Sequence, residues 1–285
     1  MLYLCISKQK GSIHYYVMRL LKKLCLLAVL VGCSLSAFAE VVVIKTNVGT
    51  MKIKLHDDVP RHKEYFLKLV RDGYFDETLF YRTISYFIVQ GGAQDSKAAP
   101  PGMKVGYFDR SMEIPSEMQP HYFPKKGALA APRHGDDVNP EKRSDMSQFF
   151  IVSGRVYPEA EITNMEREKN NPIKRKAMDR FYKPVKAEMD SLKLANPEEY
   201  NKRVVEINAK VDSVLRATPG HLLFTPEEKE AYTTVGGCHY LTDDYTIFGQ
   251  LIEGYDVLDI IANQETDLND RPKKDIRMLK VYVEQ

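Results

Sequence analysis

Short runs of residues alternating between apolar and polar constrain this chain more than any other feature. Val41-Val42-Val43-Ile44-Lys45-Thr46 and Thr50-Met51-Lys52-Ile53-Lys54-Leu55 flank Asn47-Val48-Gly49. Runs rich in β-branched residues, joined through Asn and Gly, predict a hairpin. Strand texture returns over residues 79–92, 148–152 and 245–251, and an alternating run closes the chain at 278–283. An amphipathic helix interrupts it early. Asp57 or Asp58 can cap that helix and Pro60 fits its first turn, where no N–H partner is needed. Val59, Phe66, Leu69 and Val70 then form one apolar face, and Gly73 is a natural stop. A second helix is expected over residues 257–262. Many short strands with a helix near each end predict a mainly β fold. The expected form is a closed antiparallel barrel capped by two helices, not a parallel α/β sheet.

Residues 158–231 break this rhythm. They are charged, poor in glycine and helical in period. Tyr200, Val204, Ile207, Val211 and Val214 recur at steps of four and three, a heptad-like seam. Ile173, Met178, Phe181, Val185, Met189 and Leu192 supply a second apolar stripe, interrupted by Pro184. The two stripes predict a helical hairpin inserted into the domain of residues 40–285. Such an insertion either packs only on itself or serves as a client-binding arm, and both readings stay open at this point.

Composition excludes several function classes. Of 285 residues, 41 are Lys or Arg and 39 are Asp or Glu, a net charge of +2. No global basic field points to nucleic acid, and no partner of that kind is expected. No Cys/His cluster has ligand spacing and no Gly-rich phosphate loop is present, so neither a metal nor another cofactor is expected. Residues 1–39 read as a secretory signal region. Met18-Arg19-Leu20-Leu21-Lys22-Lys23 is a basic start, and Leu24 to Leu30 an apolar stretch too short to span a membrane. Two processing sites compete. Ala37-Phe38-Ala39 fits small-x-small cleavage, whereas Leu30-Val31-Gly32-Cys33 resembles a bacterial lipobox in which Cys33 would be lipidated. Either route predicts an exported, periplasmic protein, and only the second ties it to a membrane. Cys238 alone lies in the body, so no disulfide can form within it.

The stretch Phe80-Tyr81-Arg82-Thr83-Ile84-Ser85-Tyr86-Phe87-Ile88-Val89-Gln90-Gly91-Gly92 carries the chemistry. Alternation puts Arg82 and Gln90 on one strand face, with Phe80 and Ile88 at the same parity, unless a bulge intervenes. A face mixing Arg, Gln and large apolar groups suits a shallow pocket with polar hooks. An edge-strand Arg paired to a carboxylate is the plain alternative.

These residues resemble the cyclophilin signature F-x-R-x-x-x-x-F-x-x-Q-G-G at every specified position. Ser147-Gln148-Phe149-Phe150-Ile151 is similar to that family's S-Q-F-F-I segment, and Gly127-Ala128-Leu129-Ala130-Ala131 to its G-x-L-x-M-A run. Gly236-Gly237, Tyr240-Leu241 and Tyr245-Thr246-Ile247-Phe248-Gly249 resemble its final element. The resemblance implies a cyclophilin-like barrel that catalyses peptidyl-prolyl cis-trans isomerisation on proline-containing unfolded or folding polypeptides. It implies that Arg82 is catalytic, that Phe87, Ile88, Phe150 and Leu241 form the proline pocket, and that Gln90 and Gln148 hold the substrate backbone. Gln90 is expected to bind the peptide carbonyl. Pro132 and Arg133 occupy positions that touch substrate through the main chain. Tyr240 stands where many members have Trp, and Tyr245 where many have His. A cyclophilin-like chaperone or binding module with little catalysis is the other function these departures and the insertion leave open.

Overall fold

The computed structural model describes residues 40–284. The signal region and Cys33 lie outside the described residues. Eight strands form a closed barrel: β1 (Val41–Thr46), β2 (Gly49–Leu55), β3 (Leu79–Ile84), β4 (Ile88–Gly91), β6 (Ala128–Ala130), β8 (Phe149–Val152), β9 (Ile247–Glu253) and β10 (Ile276–Val283). Two short strands, β5 (Glu113–Ile114) and β7 (Ser144–Asp145), pair separately. The order around the barrel is β1-β10-β3-β4-β8-β6-β9-β2, antiparallel throughout. Closure gives each of the eight barrel strands a neighbour on both sides. The first hairpin pairs Thr46 with Gly49 around the expected turn. Gly49 cannot carry a side chain, because an added Cβ would lie 2.4 Å from Val257 of the second helix.

Inward-facing residues of alternate positions make one core. Val42, Ile44, Met51, Ile53, Val89, Phe149, Ile151 and Met278 meet Phe66 and Val70 of helix α1 (Pro60–Arg71) and Leu258 and Ile261 of the helix Tyr255–Ala262. Phe66 contacts Phe75, Phe149 and Phe248 at ring distances of 5.1–5.6 Å. The expected barrel with two packed helices is therefore the observed one.

Helix α1 departs from the sequence reading at its start. Neither Asp57 nor Asp58 caps it; Val59 holds that position with no side-chain hydrogen bond. Asp57 instead pairs with Lys63, and Asp58 accepts the Tyr122 hydroxyl. The free N–H groups of Arg61 and His62 donate to the Glu117 carboxylate, which comes from a distant loop. A negative group here also suits the helix dipole.

Residues 158–231 contain α2 (Glu159–Phe181), α3 (Lys186–Ala195), α4 (Pro197–Ala217) and the start of α5 (Pro226–Thr234), which runs past the expected boundary. Pro184 breaks α2 from α3 as its ring demands, whereas Pro172 is accommodated inside α2. Ala177, Met189, Ile207 and Val211 form a small core flanked by Met178, Phe181, Val185, Tyr200, Val204 and Val214, which is the seam read from the sequence. Helix α5 was not expected, although Thr225 and Glu228 form a capping box at its start. A second cluster of Tyr157, Ile162, Phe224 and Tyr232 fastens the insertion's root. Asn170 reinforces that root by exchanging hydrogen bonds with the main chain of Leu222 at 2.7 and 2.9 Å.

Glu117 and His62 make α1 acid-sensitive. Burial pushes the His62 imidazole below its usual value despite the 2.8 Å contact with Glu117. Burial raises the Glu117 carboxyl, but the hydrogen bonds from His62 and Arg61 outweigh it and leave it lowered. Burial also lowers His56, to about 4. A histidine lowered on folding takes up its proton more readily when unfolded, so its contribution is complete above about pH 6.5 and is lost as pH falls below that. Urea unfolding should show stability declining from pH 7 to 5, with a shallower slope in His62→Gln; an unchanged slope would remove His62 from the account.

Candidate active site

Strands β3 and β4 set the site. Arg82 pairs directly with Gln90, so the two side chains stand together on the barrel's outer face. The register shifts between Phe80 and Arg82. Such a bulge puts two successive residues on one side and reverses parity beyond it. Phe80 consequently turns into the core against Phe149 at 6.0 Å, while Tyr81 and Arg82 both face outward. Phe80 thus does not share a face with Ile88, because the bulge intervenes.

Strand β8 lies beside β4 and pairs Phe150 with Gln90. Phe150 and Ile88 face outward over Ala128, Ala130, Val152 and Cys238, giving the site an apolar floor. Phe87 and Pro132 line the opening. Leu241, from the turn His239–Leu241, and Tyr245 close one side, with the Tyr245 ring edge-on to Phe150 at 5.2 Å. Burial pushes the Tyr245 hydroxyl pKa up, so it stays neutral. The cavity holds about 130 Å³. That is below the roughly 300 Å³ at which pockets take whole small molecules, and it suits one ring of a larger chain. Phe108 completes the lining. It sits in a long loop without periodicity, stacked edge-on to His134 at 4.6 Å, and no sequence pattern marked it.

Arg82 stands at the mouth, about one-third exposed. Its Nε lies 3.4 Å from Asp270 Oδ2. Asp270 holds a positive φ of 60°, and its carbonyl accepts the Thr83 N–H at 2.8 Å, which ties its loop to β3. The carboxylate can orient the guanidinium without burying it. On the other side of Arg82 a second cavity of about 330 Å³ runs between Met103–Gly106 and Asn269–Arg271. Arg271 fixes both walls. Its buried guanidinium donates to the carbonyls of Ala99, Pro100 and Met103 and pairs with Asp275.

The rim residues divide in function. The Pro132 carbonyl accepts the Asp145 N–H. Among the described residues the Arg133 main chain has no partner on its N–H or C=O, leaving both free for a bound backbone. The Arg133 side chain is only 7% exposed. It donates to the Asp244 carbonyl and carboxylate and to Asp136, and lies 5.3 Å from the Tyr245 ring. It therefore anchors the loop that carries Tyr245.

Two expected binding residues stand elsewhere. Gln148 is 1% exposed and does not line the pocket; it donates to the carbonyls of Gly106 and Tyr107. Tyr240 is 70% exposed outside the pocket lining, its ring against His239 at 3.9 Å. The family resemblance suggested both, Gln148 as a holder of the substrate backbone, and neither lines the pocket.

The family model described as cyclophilin type peptidyl-prolyl cis-trans isomerase/CLD matches residues 41–165 and 196–283. The chain belongs to the cyclophilin family. A Staphylococcus epidermidis protein provisionally named peptidyl-prolyl cis-trans isomerase is 28% identical over 245 residues, which is 86% of this chain and 91% of that protein. A Streptococcus pyogenes protein provisionally named bifunctional phosphatase/peptidyl-prolyl cis-trans isomerase is 28% identical over 248 residues, but these make up only 38% of its length. A Cryptosporidium parvum cyclophilin type isomerase, crystallised in the presence of the dipeptide Ala-Pro, shares 18% identity at a TM-score of 0.48, over 86% of this chain and 99% of that one. This cyclophilin is a peptidyl-prolyl cis-trans isomerase by its family.

The Arg133 arrangement makes a specific expectation. Arg133→Ala should raise the peptide KM several-fold with kcat little changed, since the side chain shapes the rim and does not reach the reacting bond. Steady-state kinetics on a short Pro peptide checks this, and an equal loss in kcat would place Arg133 nearer the chemistry.

Proposed function

We propose that this cyclophilin is exported and accelerates X–Pro isomerisation in polypeptides folding outside the bacterial cytoplasm, with Arg82 as its catalytic residue. The observation that carries the reading is a guanidinium held at the mouth of a one-ring apolar pocket. Rotation about X–Pro is slow because amide resonance sets a barrier of ~20 kcal/mol. Twisting the bond localises the nitrogen lone pair. Arg82 presents a planar fork of N–H donors, and can donate to that nitrogen or to the adjoining carbonyl as conjugation is lost. Phe87, Ile88, Phe150, Leu241 and Tyr245 hold the ring while the chain turns past it. Pro132 and Arg133 form the rim, with Arg133 offering its free main-chain groups. A donor aimed at the twisted form contributes roughly 3–4 kcal/mol in comparable sites. No bond to the enzyme is made, and the site only has to favour the twisted amide over the planar one.

Refolding of a denatured protein limited by a cis-Pro step tests this. Arg82→Ala should remove most of the acceleration, roughly 10²-fold or more at 3–4 kcal/mol. Equal acceleration by a folded Arg82→Ala protein would refute the role.

Export rests on the basic and apolar runs of residues 1–39. The lipobox-like Leu30-Val31-Gly32-Cys33 supports anchoring through Cys33. Growth with a labelled fatty acid should mark the full-length protein and not Cys33→Ala; absence of label on both would leave the Ala37-Phe38-Ala39 site and a soluble periplasmic form.

The insertion is also read as an arm that influences access. Its root is wired to the turn that carries Leu241. Arg155 and Gly237 exchange two main-chain hydrogen bonds of 3.0 Å, and Cys238 donates to the Pro124 carbonyl. Phe224 packs on His239 at 5.6 Å. Replacing residues 158–231 with a short linker should change kinetics on an unfolded protein more than on a tetrapeptide, and identical kinetics on both would refute this.

A further inference from the structure

We infer that Tyr81 is a positioning residue that locks the Gln90 amide with its oxygen outward, so that Gln90 meets a bound peptide only as an acceptor. The inference rests on the isomerase reading for its kinetic consequence, but its geometry stands alone. It replaces the expectation that Gln90 binds the peptide carbonyl.

The orientation can be followed from the backbone outward. Gln148 Nε2 donates to the Gly106 and Tyr107 carbonyls, each at 3.3 Å. Carbonyl oxygens only accept, so the Gln148 amide must turn its nitrogen to them and its Oε1 the other way. There Oε1 accepts the Tyr81 hydroxyl, and also Gln90 Nε2 at 3.1 Å. The Tyr81 hydroxyl, having donated its single proton, accepts from Gln90 Nε2 at 2.7 Å. A side-chain amide has two N–H donors. Those of Gln90 are both spent, on Tyr81 and on Gln148.

The Gln90 oxygen is left with no protein donor among the described residues. It belongs to a residue directly opposite Arg82 on the adjoining strand. Flipping the amide would set two oxygens against each other at the Gln148 contact and discard two buried hydrogen bonds. Leaving buried donors or acceptors unpaired costs about 1–3 kcal/mol each, so the flipped form is disfavoured. The free oxygen can take an N–H from Arg82 or from the peptide main chain. Carbonyl recognition then falls to Arg82 and to the Arg133 N–H.

Tyr81 can do this only because of the bulge that turns it to the same side as Arg82. Its ring is buried, and Gly106 packs on it so closely that an added Cβ would lie 2.3 Å away. Burial pushes the hydroxyl pKa well above its usual value, so the group keeps its proton. Tyr81→Phe preserves this packing and removes only the hydroxyl.

The test is an NMR titration of the side-chain amide signals of Gln90 with an Ala-Pro-containing tetrapeptide, alongside kinetics of Tyr81→Phe. In the wild type, the two Gln90 amide protons should stay put at saturation while signals of the Arg82 guanidinium move. In Tyr81→Phe those amide protons should shift before any peptide is added, and kcat should fall roughly tenfold with KM within about twofold, the scale of one hydrogen bond. A large movement of the wild-type Gln90 amide protons on binding would overturn the inference, as would full kcat in a folded Tyr81→Phe. Should that variant fail to fold, the wild-type titration decides alone. Should the protein bind peptide without catalysis, the isomerase reading fails while the titration still reads the amide.

Discussion

The direct pairing of Arg82 with Gln90 across a bulged hairpin is the constraint on which the rest of the site depends. Without the extra residue at Tyr81, the parity that turns Phe80 inward would force either the core or the pocket face to change. The bulge resolves this by sending Phe80 to the core and both Tyr81 and Arg82 to the outer face. A closed barrel makes that arrangement rigid, since neither strand can slip without breaking pairs all the way round. A guanidinium that must be aimed at a partly twisted bond gains from this rigidity, because little reorganisation remains at the moment of rotation.

Around this pair the molecule has two kinds of wall. The floor belongs to the barrel: Phe150 and Ile88 are outward positions on strands whose alternate residues fill the core. The remaining walls are loops, and each is pinned by a buried or half-buried polar group. Arg271 holds the loop that contains Met103, Arg133 holds the loop of Asp244 and Tyr245, and Gln148 holds Gly106 and Tyr107. The helical insertion joins the same scheme at Gly237, where an added Cβ would meet the Pro124 carbonyl at 2.5 Å. Its far end has its own small core around Met189 and Ile207. The segment is thus fixed at the pocket side and self-supporting beyond it.

The strands, both barrel helices and the insertion's seam were legible in the sequence because each carries a period that burial imposes. So were Arg82, Phe87, Ile88, Gln90 and Phe150, which follow from spacing within two strands and a close family resemblance. What escaped lies where period is lost. Phe108 is in a loop held by tertiary contacts alone. The free N–H groups that open α1 are met by Glu117, far along the chain, and not by the neighbouring aspartates. Tyr81 looks like an inward residue until the bulge is known. Gln148, expected to hold the substrate backbone, is buried and supports Gly106 and Tyr107. Helix α5 was legible in principle, since Thr225 and Glu228 mark its start.

The central claim is that a fixed, forked donor, and not positive charge alone, lowers the barrier at this pocket. Arg82→Lys separates the two, because lysine keeps the charge but presents a flexible point donor. The measurement is the cis–trans exchange rate of an Ala-Pro-containing peptide at saturating enzyme, read from NMR exchange cross-peaks for the wild type and Arg82→Lys. The account predicts that peptide still binds the variant but exchanges at least tenfold more slowly than on the wild type. Exchange at the wild-type rate on Arg82→Lys would contradict it.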